Sequence, residues 1–213
     1  MSKEHFGIDI SHWNKVLSFR DVKKALGSDG FIILKAGGGD TSYTFKDPTF
    51  EAYYLQCKIW GINVGAYYYS PKDMILPAKG HYGADCFLKL LEGKQFEMPV
   101  FLDMENTDRK YKTGATDAAI TFLEDLEDEK YFAGIYSSDI SGFKERLQIE
   151  RLSPYTLWVA RYGKKPSYVR NYGLWQYTSS GSIMGISGNV DIDISYKNYP
   201  KIIKGGHFNG YNT

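Results

Sequence analysis

The sequence predicts an α/β fold, a TIM-like (β/α)5β3 barrel built as one domain. Three observations carry this. Short β-rich runs alternate with segments of helical apolar spacing from residue 6 to residue 137, the signature of parallel βα units. Beyond residue 150 strands follow one another across turns too short for full helices. The 213 residues suit a single barrel, which commonly runs to ~200–250 residues, and no Pro/Gly/Ser-rich linker divides them internally.

The first strand is expected at 6–10 and the second at 31–35, where Phe, Ile, Ile and Leu run together before Lys35. The third spans 63–69, the fourth 99–104 and the fifth 132–137. Helices fit 19–26, 48–60, 77–91 and 115–126, each with apolar residues at helical spacing. Asp47 ahead of Pro48 reads as the start of the second helix, and Thr113 or Thr116 as the start of the fourth. Strands at 156–160, 172–177 and 189–194 bring the total to about eight. That is enough to close a barrel whose last stretch of wall lacks helical cover. We assign 1–204 to the barrel and 205–213, with its Gly-Gly pair, Asn209, Gly210 and Asn212, to a linker or frayed end.

Hydrophobic residues make up 43% and aromatics 16% of the chain, which supports a sizeable core. The 18 Tyr and 4 Trp exceed what a core needs, because their polar tips seek partners or water; some of that aromatic surface is expected to bind a ligand. Net charge is +1 with no basic run, which argues against a surface that holds nucleic acid by neutralising phosphates. No run approaches the ~18 apolar residues of a membrane span. Met1-Ser2-Lys3-Glu4-His5 leads into a strand instead of a signal peptide, so neither a membrane nor an export address is expected. Cys57 and Cys86 fall in two predicted helices with no CxxC or Cys/His cluster. Two buried free thiols are expected, with a single disulfide left open because spacing does not decide whether the two come within reach.

In such barrels chemistry sits at the C-terminal mouth of the strands. Three strands finish with ionisable residues: Gly7-Ile8-Asp9-Ile10-Ser11, Asp103-Met104-Glu105, and Asn189-Val190-Asp191-Ile192-Asp193. The first and last strands adjoin in a closed barrel and the fourth lies across the mouth, so Asp9, Asp103, Glu105 and Asp191 are expected in one cleft. Asp9 alone reads more readily as a turn residue or cap. Asp103 and Glu105 do not. Two carboxylates on one strand face, after four apolar residues, carry a desolvation and repulsion cost that turn chemistry leaves unexplained. Asp191 and Asp193 fall between, since one of them could cap the strand. Close carboxylates in a partly dry cleft titrate as a unit, one keeping its proton to higher pH. An acid beside a base suits glycoside hydrolysis.

Gly7-Ile8-Asp9-Ile10-Ser11-His12-Trp13, Asp103-x-Glu105, Leu174-Trp175-Gln176-Tyr177 and Asn189-Val190-Asp191 follow one another in this order. Together they resemble glycoside hydrolase family 25, the muramidases of many phage endolysins and bacterial autolysins. The resemblance implies the (β/α)5β3 barrel and hydrolysis of the β-1,4 bond from N-acetylmuramic acid to N-acetylglucosamine in peptidoglycan, with no metal or organic cofactor. By motif position it makes Glu105 the acid/base. Asp103 becomes the neighbouring acid that, in a substrate-assisted retaining route, orients the 2-acetamido group as it attacks the anomeric carbon. Asp9 and Asp191 match flanking acids that shape the charge and hold water or sugar hydroxyls.

The implied partner is the glycan strand of the bacterial cell wall, neither nucleic acid nor membrane, with room for a wall-binding domain beyond Thr213. Action at the wall without an export signal fits a phage lysin released from the host cytoplasm, or a trimmed secreted enzyme. Three positions depart from the family pattern. Lys35-Ala36-Gly37-Gly38-Gly39 stands where many members have Lys-Ala-Thr-Glu-Gly, losing a carboxylate for a flexible turn. Tyr67-Tyr68-Tyr69 replaces Tyr-His-Phe, and Asp193 replaces the usual Asn.

Pyranose rings stack their C–H faces on aromatic rings while their hydroxyls need polar tips, so Tyr and Trp at strand ends suit a glycan groove. Tyr67, Tyr69, Tyr136, Trp158, Trp175 and Gln176 are the candidates for substrate binding, each weighed against plain core filling. The resemblance singles out Trp175 and Gln176. Trp60 and Phe122, in predicted helices, are assigned to packing. His5, His12, His81 and His207 lack metal-ligand spacing, and no Gly-x-Ser-x-Gly elbow appears. Two other readings stay open: a non-catalytic barrel that only binds wall glycan, and a chitinase-like glycosidase with a similar acid pair.

Overall fold

A computed structural model describes residues 4–39 and 43–211; residues 1–3 of the leader and 212–213 of the expected tail lie outside the described residues. The first half alternates strand and helix: β1 (His5–Ile10), β2 (Lys15–Val16), α1 (Phe19–Leu26), β3 (Phe31–Gly39), β4 (Thr44–Lys46), α2 (Phe50–Ile59), β5 (Asn63–Tyr69), α3 (Pro77–Leu91) and β6 (Val100–Asp103). The second half continues with α4 (Lys112–Asp128), β7 (Ala133–Ser138), α5 (Ile149–Leu152), β8 (Thr156–Ala160), β9 (Leu174–Gly181), β10 (Ile186–Ser187), β11 (Val190–Ser195) and α6 (Tyr199–Gly205).

Eight strands close a ring in the order β1-β3-β5-β6-β7-β8-β9-β11, with β4 added to β3. The chain is therefore the single-domain α/β barrel that strand and helix alternation predicts. Neighbours are parallel from β1 through β9, but β11 runs antiparallel to both β9 and β1. The expectation that the last strand finishes at the mouth is corrected by this reversal. Asp191 pairs with Asp9 near the beginning of β11, and Asp193 pairs with Gly7 one step deeper.

Period-two alternation sorts the side chains into two cores. Phe31, Ile33, Phe101, Trp158 and Leu174 fill the barrel interior. Ile32, Leu34, Val64, Leu102, Ile135 and Val159 face outward and pack under the helices. Tyr68 belongs to this outer layer, against Phe87 and Phe122.

Several local expectations change. α2 starts at Phe50, because Asp47 spends one oxygen on the Thr49 amide and hydroxyl, at 2.9 and 2.7 Å, ahead of the helix. α4 starts at Lys112, so Thr116 lies inside it and bonds back to the Lys112 carbonyl at 2.8 Å. The fifth connection is a π-helical turn at Asp139–Lys144 followed by the short α5. Gly37, Gly38 and Gly39 form no turn; they extend β3 and pair with β4. A Cβ on Gly37 would lie 2.3 Å from the Phe45 carbonyl oxygen, so only glycine admits β4 at that distance.

Residues 205–211 are docked instead of frayed. Asn209 is buried beneath the barrel, its side chain donating to the carbonyls of Phe96 and Met98 and accepting from the Phe132 amide. Trp60 is partly exposed at the end of α2, with its indole N–H on Gln56 at 3.3 Å, so it is not a packing residue. Cys57 is buried and Cys86 only partly so, and both are free thiols. Among the described residues no helix is long and apolar enough to cross a membrane.

Candidate active site

A cleft of about 460 Å³ opens where the parallel strands end. Asp103 and Glu105 stand on one wall, and Asp9, Asp191 and Asn189 on the opposite one. The β6 ladder runs one residue past the strand: the Met104 amide donates to Tyr136 O at 3.0 Å, and the Ser137 hydroxyl to Met104 O at 2.6 Å. With Met104 buried outward, Asp103 and Glu105 on either side of it turn into the cleft. Glu105 thus sits in the loop after β6, not on the strand. Arg146 braces that loop through a 2.8 Å bond to Thr107 O.

Asp103 is 6% exposed, and no protein donor reaches its Oδ1. Burial pushes its carboxyl well above the usual carboxylate range, the charge of Glu105 adds to this, and Lys35 pulls it back. Glu105 is raised by burial against the pull of Lys35 and Arg146. Lys35 is the cation of the cleft, its ammonium 4.3 Å from the Tyr69 ring centroid and 5.3 Å from that of Phe45. Burial lowers its pKa while Asp103, Asp47 and Glu105 oppose the shift.

On the far wall burial raises Asp191 to about 6, with Glu105 adding to it. Beneath it lies a second acid pair. Asp193 accepts the Trp158 indole N–H at 2.7 Å through Oδ1, while its Oδ2 finds no N–H or hydroxyl donor and faces the Asp9 carboxyl. A bond between two carboxyls requires one shared proton. Burial, reinforced by the charges of Asp193 and Asp191, holds Asp9 well above the carboxylate range; burial, with Asp191 adding to it, carries Asp193 to about 8 against the bonds from Trp158 and Asp9.

Gln176 organises the floor, donating to Asp9 at 2.7 Å and accepting from the hydroxyls of Tyr136 at 2.9 Å and Tyr162 at 3.1 Å. Tyr67 and Tyr69 line the cleft, and the Tyr69 hydroxyl meets the Asn106 amide. Trp158 is 1% exposed under Tyr67 and Tyr136, which makes it floor and not platform. Trp175 is not brought to the cleft. It follows the inward Leu174 and precedes the inward Gln176, so it points outward and donates its indole N–H to Arg161 O at 2.8 Å. Sequence reasoning did not single out Lys35, Trp13, Tyr162 or Asn106 as site residues. Tyr162 could have been found by the rule that found Glu105, since it lies just beyond the C-terminal end of β8; Lys35 closes the strand expected at 31–35 but lies in the middle of the longer β3. Among the described residues no three His, Cys, Asp or Glu side chains are grouped to hold a metal ion.

Comparison with known proteins agrees with this fold. The sequence model of glycosyl hydrolases family 25 matches residues 8–186, a span that includes Asp9, Asp103, Glu105 and Gln176 but ends before Asp191. The autolytic lysozyme of Clostridium acetobutylicum is 25% identical over 181 residues, covering 81% of this chain and 54% of the relative. Lysozyme M1 of Streptomyces globisporus is 28% identical over 205 residues, covering 87% of this chain and 65% of the relative. The chain therefore spans between half and two thirds of the length of these two relatives. The crystal structure of the CTP1L endolysin superposes with a TM-score of 0.78 at 29% identity, covering 94% of this chain and 70% of that one. By its fold, its acid cleft and the match over most of its length, the chain belongs to the glycosyl hydrolases of family 25.

Proposed function

We propose that the protein is an N-acetylmuramidase that cleaves the β-1,4 bond between N-acetylmuramic acid and N-acetylglucosamine in peptidoglycan. The observation that carries this reading is the acid pair itself: a buried Asp103 with an unpartnered oxygen, beside a half-buried Glu105, in an open cleft of about 460 Å³.

Glu105 gives its proton to the glycosidic oxygen as the C1–O bond breaks. The substrate's 2-acetamido oxygen closes on C1 from the other face, and Asp103 accepts the acetamido N–H, stabilising the charge that develops on the amide. Water then attacks C1 as the bond from C1 to the acetamido oxygen breaks and the acetamido group is restored; Glu105 takes the water's proton, and the anomeric configuration is retained. In the empty cleft burial favours a proton on the deeper Asp103. An N–H bond from the substrate stabilises the Asp103 anion and shifts the shared proton toward Glu105. The acid is thereby armed by the group it is about to help.

The test is reducing-sugar release from purified peptidoglycan. Glu105→Gln should lower the rate roughly 10²–10⁴-fold while glycan still sediments the protein. Normal turnover in that variant would overturn the assignment. Mass spectrometry of the muropeptides identifies the bond: new reducing ends belong on muramic acid. Reducing ends on glucosamine, or cleavage of chitin oligomers with no lactyl groups, would point to a different glycosidase.

A further inference from the structure

Single apolar side chains open to water are ordinary on a protein surface; what distinguishes one is its place beside a binding cleft. Among the described exposed hydrophobic residues only Trp13 and Tyr162 border the cleft, at 82% and 54% exposure. Tyr162 is tied into the floor through Gln176. Trp13 leaves most of its indole free, yet the backbone that carries it is held tightly.

That backbone is the turn directly after β1. The Asn14 amide donates to Ser11 O at 2.9 Å, the Ser11 amide to Asn14 Oδ1 at 3.0 Å, and the Tyr53 hydroxyl to Asn14 O at 2.8 Å. His12 is clasped twice by Asp47 Oδ2, through its amide at 3.1 Å and its Nδ1 at 2.7 Å. Asp47 is fully buried, and its other oxygen holds Thr49, so the clasp reaches into the start of α2. The His12 ring backs the indole, with centroids 4.5 Å apart. An exposed indole carried on a braced backbone at the rim of a sugar cleft pays less ordering cost than one on a loose loop when a flat ring lands on it.

We propose that Trp13 is a stacking platform for a pyranose of the glycan chain, on the wall opposite Glu105, and that the His12–Asp47 clasp positions it. The ring order supports the location. β1, which leads into Trp13, and β6, which leads into Glu105, stand three places apart in the ring of eight strands, which assigns the two residues to different sugars of one bound strand. The platform serves grip on a long strand, not bond breaking. This inference rests on the glycan reading above, and its chemistry is a carbohydrate C–H face.

Two measurements test it. In steady-state hydrolysis of polymeric peptidoglycan, Trp13→Ala should raise KM about tenfold with a far smaller change in kcat. His12→Ala should act in the same direction, and the double variant should add little to Trp13→Ala alone, because both changes remove one platform. In the Glu105→Gln background, purified oligomers of N-acetylglucosamine and N-acetylmuramic acid should shift tryptophan emission to the blue. Adding Trp13→Phe should abolish that shift, whereas Trp60→Phe, at the far end of α2, should leave it. An unchanged KM in Trp13→Ala, or an unchanged spectral shift in Trp13→Phe, overturns the platform even if the enzyme cleaves peptidoglycan normally. If the wild type does not cleave, the muramidase reading fails, and the emission titration still decides whether Trp13 binds glycan.

Discussion

Asp103 owes its chemistry to its neighbours along the chain. Four apolar residues before it fix β6 in the barrel wall, and the outward Met104 leaves two inward carboxylates with one ammonium, Lys35, between their walls. Asp103→Asn keeps the shape but can no longer gain charge as the acetamido group reacts. We expect kcat on peptidoglycan to fall roughly 10²-fold or more while KM barely moves, read by reducing-end release. This acid pair was legible in the sequence because charge after an apolar run is costly and therefore conspicuous. Trp175 misled for an equally physical reason. In a strand adjacent residues face opposite ways, so a Trp-Gln pair delivers only one member to the cleft, and here Gln176 is that member. Trp13 escaped because a loop residue carries no periodicity to read.

Elements were legible where pattern is strong and hidden where partners are distant in sequence. All eight barrel strands were legible as β-rich runs, but nothing in residues 190–195 says that β11 runs backward; the short β9–β11 connection decides it. The three glycines of β3 read as a turn because the approaching β4 is invisible from composition. The C-terminal segment is the clearest case. Its Gly and Asn content suggests a linker, yet Asn209 satisfies the backbone of Phe96, Met98 and Phe132 with its own side chain and adopts φ 54, which Asn tolerates. A chain ended at residue 204 leaves those buried groups unpaired and opens the floor over Tyr199 and Ile203. Its melting temperature should drop by about 5 °C or more, at ~2–4 °C per kcal/mol for a chain of this size. Circular dichroism measures it; an unchanged midpoint would return the segment to the linker class.

Across the whole molecule the acids pull stability in two directions. Asp191 and Asp193 are raised, to about 6 and about 8, chiefly by burial. Their stabilisation is complete below the unfolded value of about 3.9 and is lost as pH climbs through those values. Burial also raises the other way round for Asp47 and Asp139, but hydrogen bonds outweigh it and hold both below the usual range. Their contribution is present above the unfolded value and fades as pH falls through the folded one. The melting midpoint should therefore peak in mildly acidic buffer and decline toward pH 9. Asp193→Asn should flatten the alkaline part of that decline, as calorimetry across pH would register; an equal slope in both proteins would refute it.

The pairing of β1 with β11 has a consequence for synthesis. Asp9 and Asp191, paired on the far wall, are made about 180 residues apart. A half-made copy holds Glu105 and Asp103 in an unclosed sheet without the opposite jaw. The cleft between Asp103 and Asp9 is therefore walled on both sides only after β11 has been made and has paired with β1.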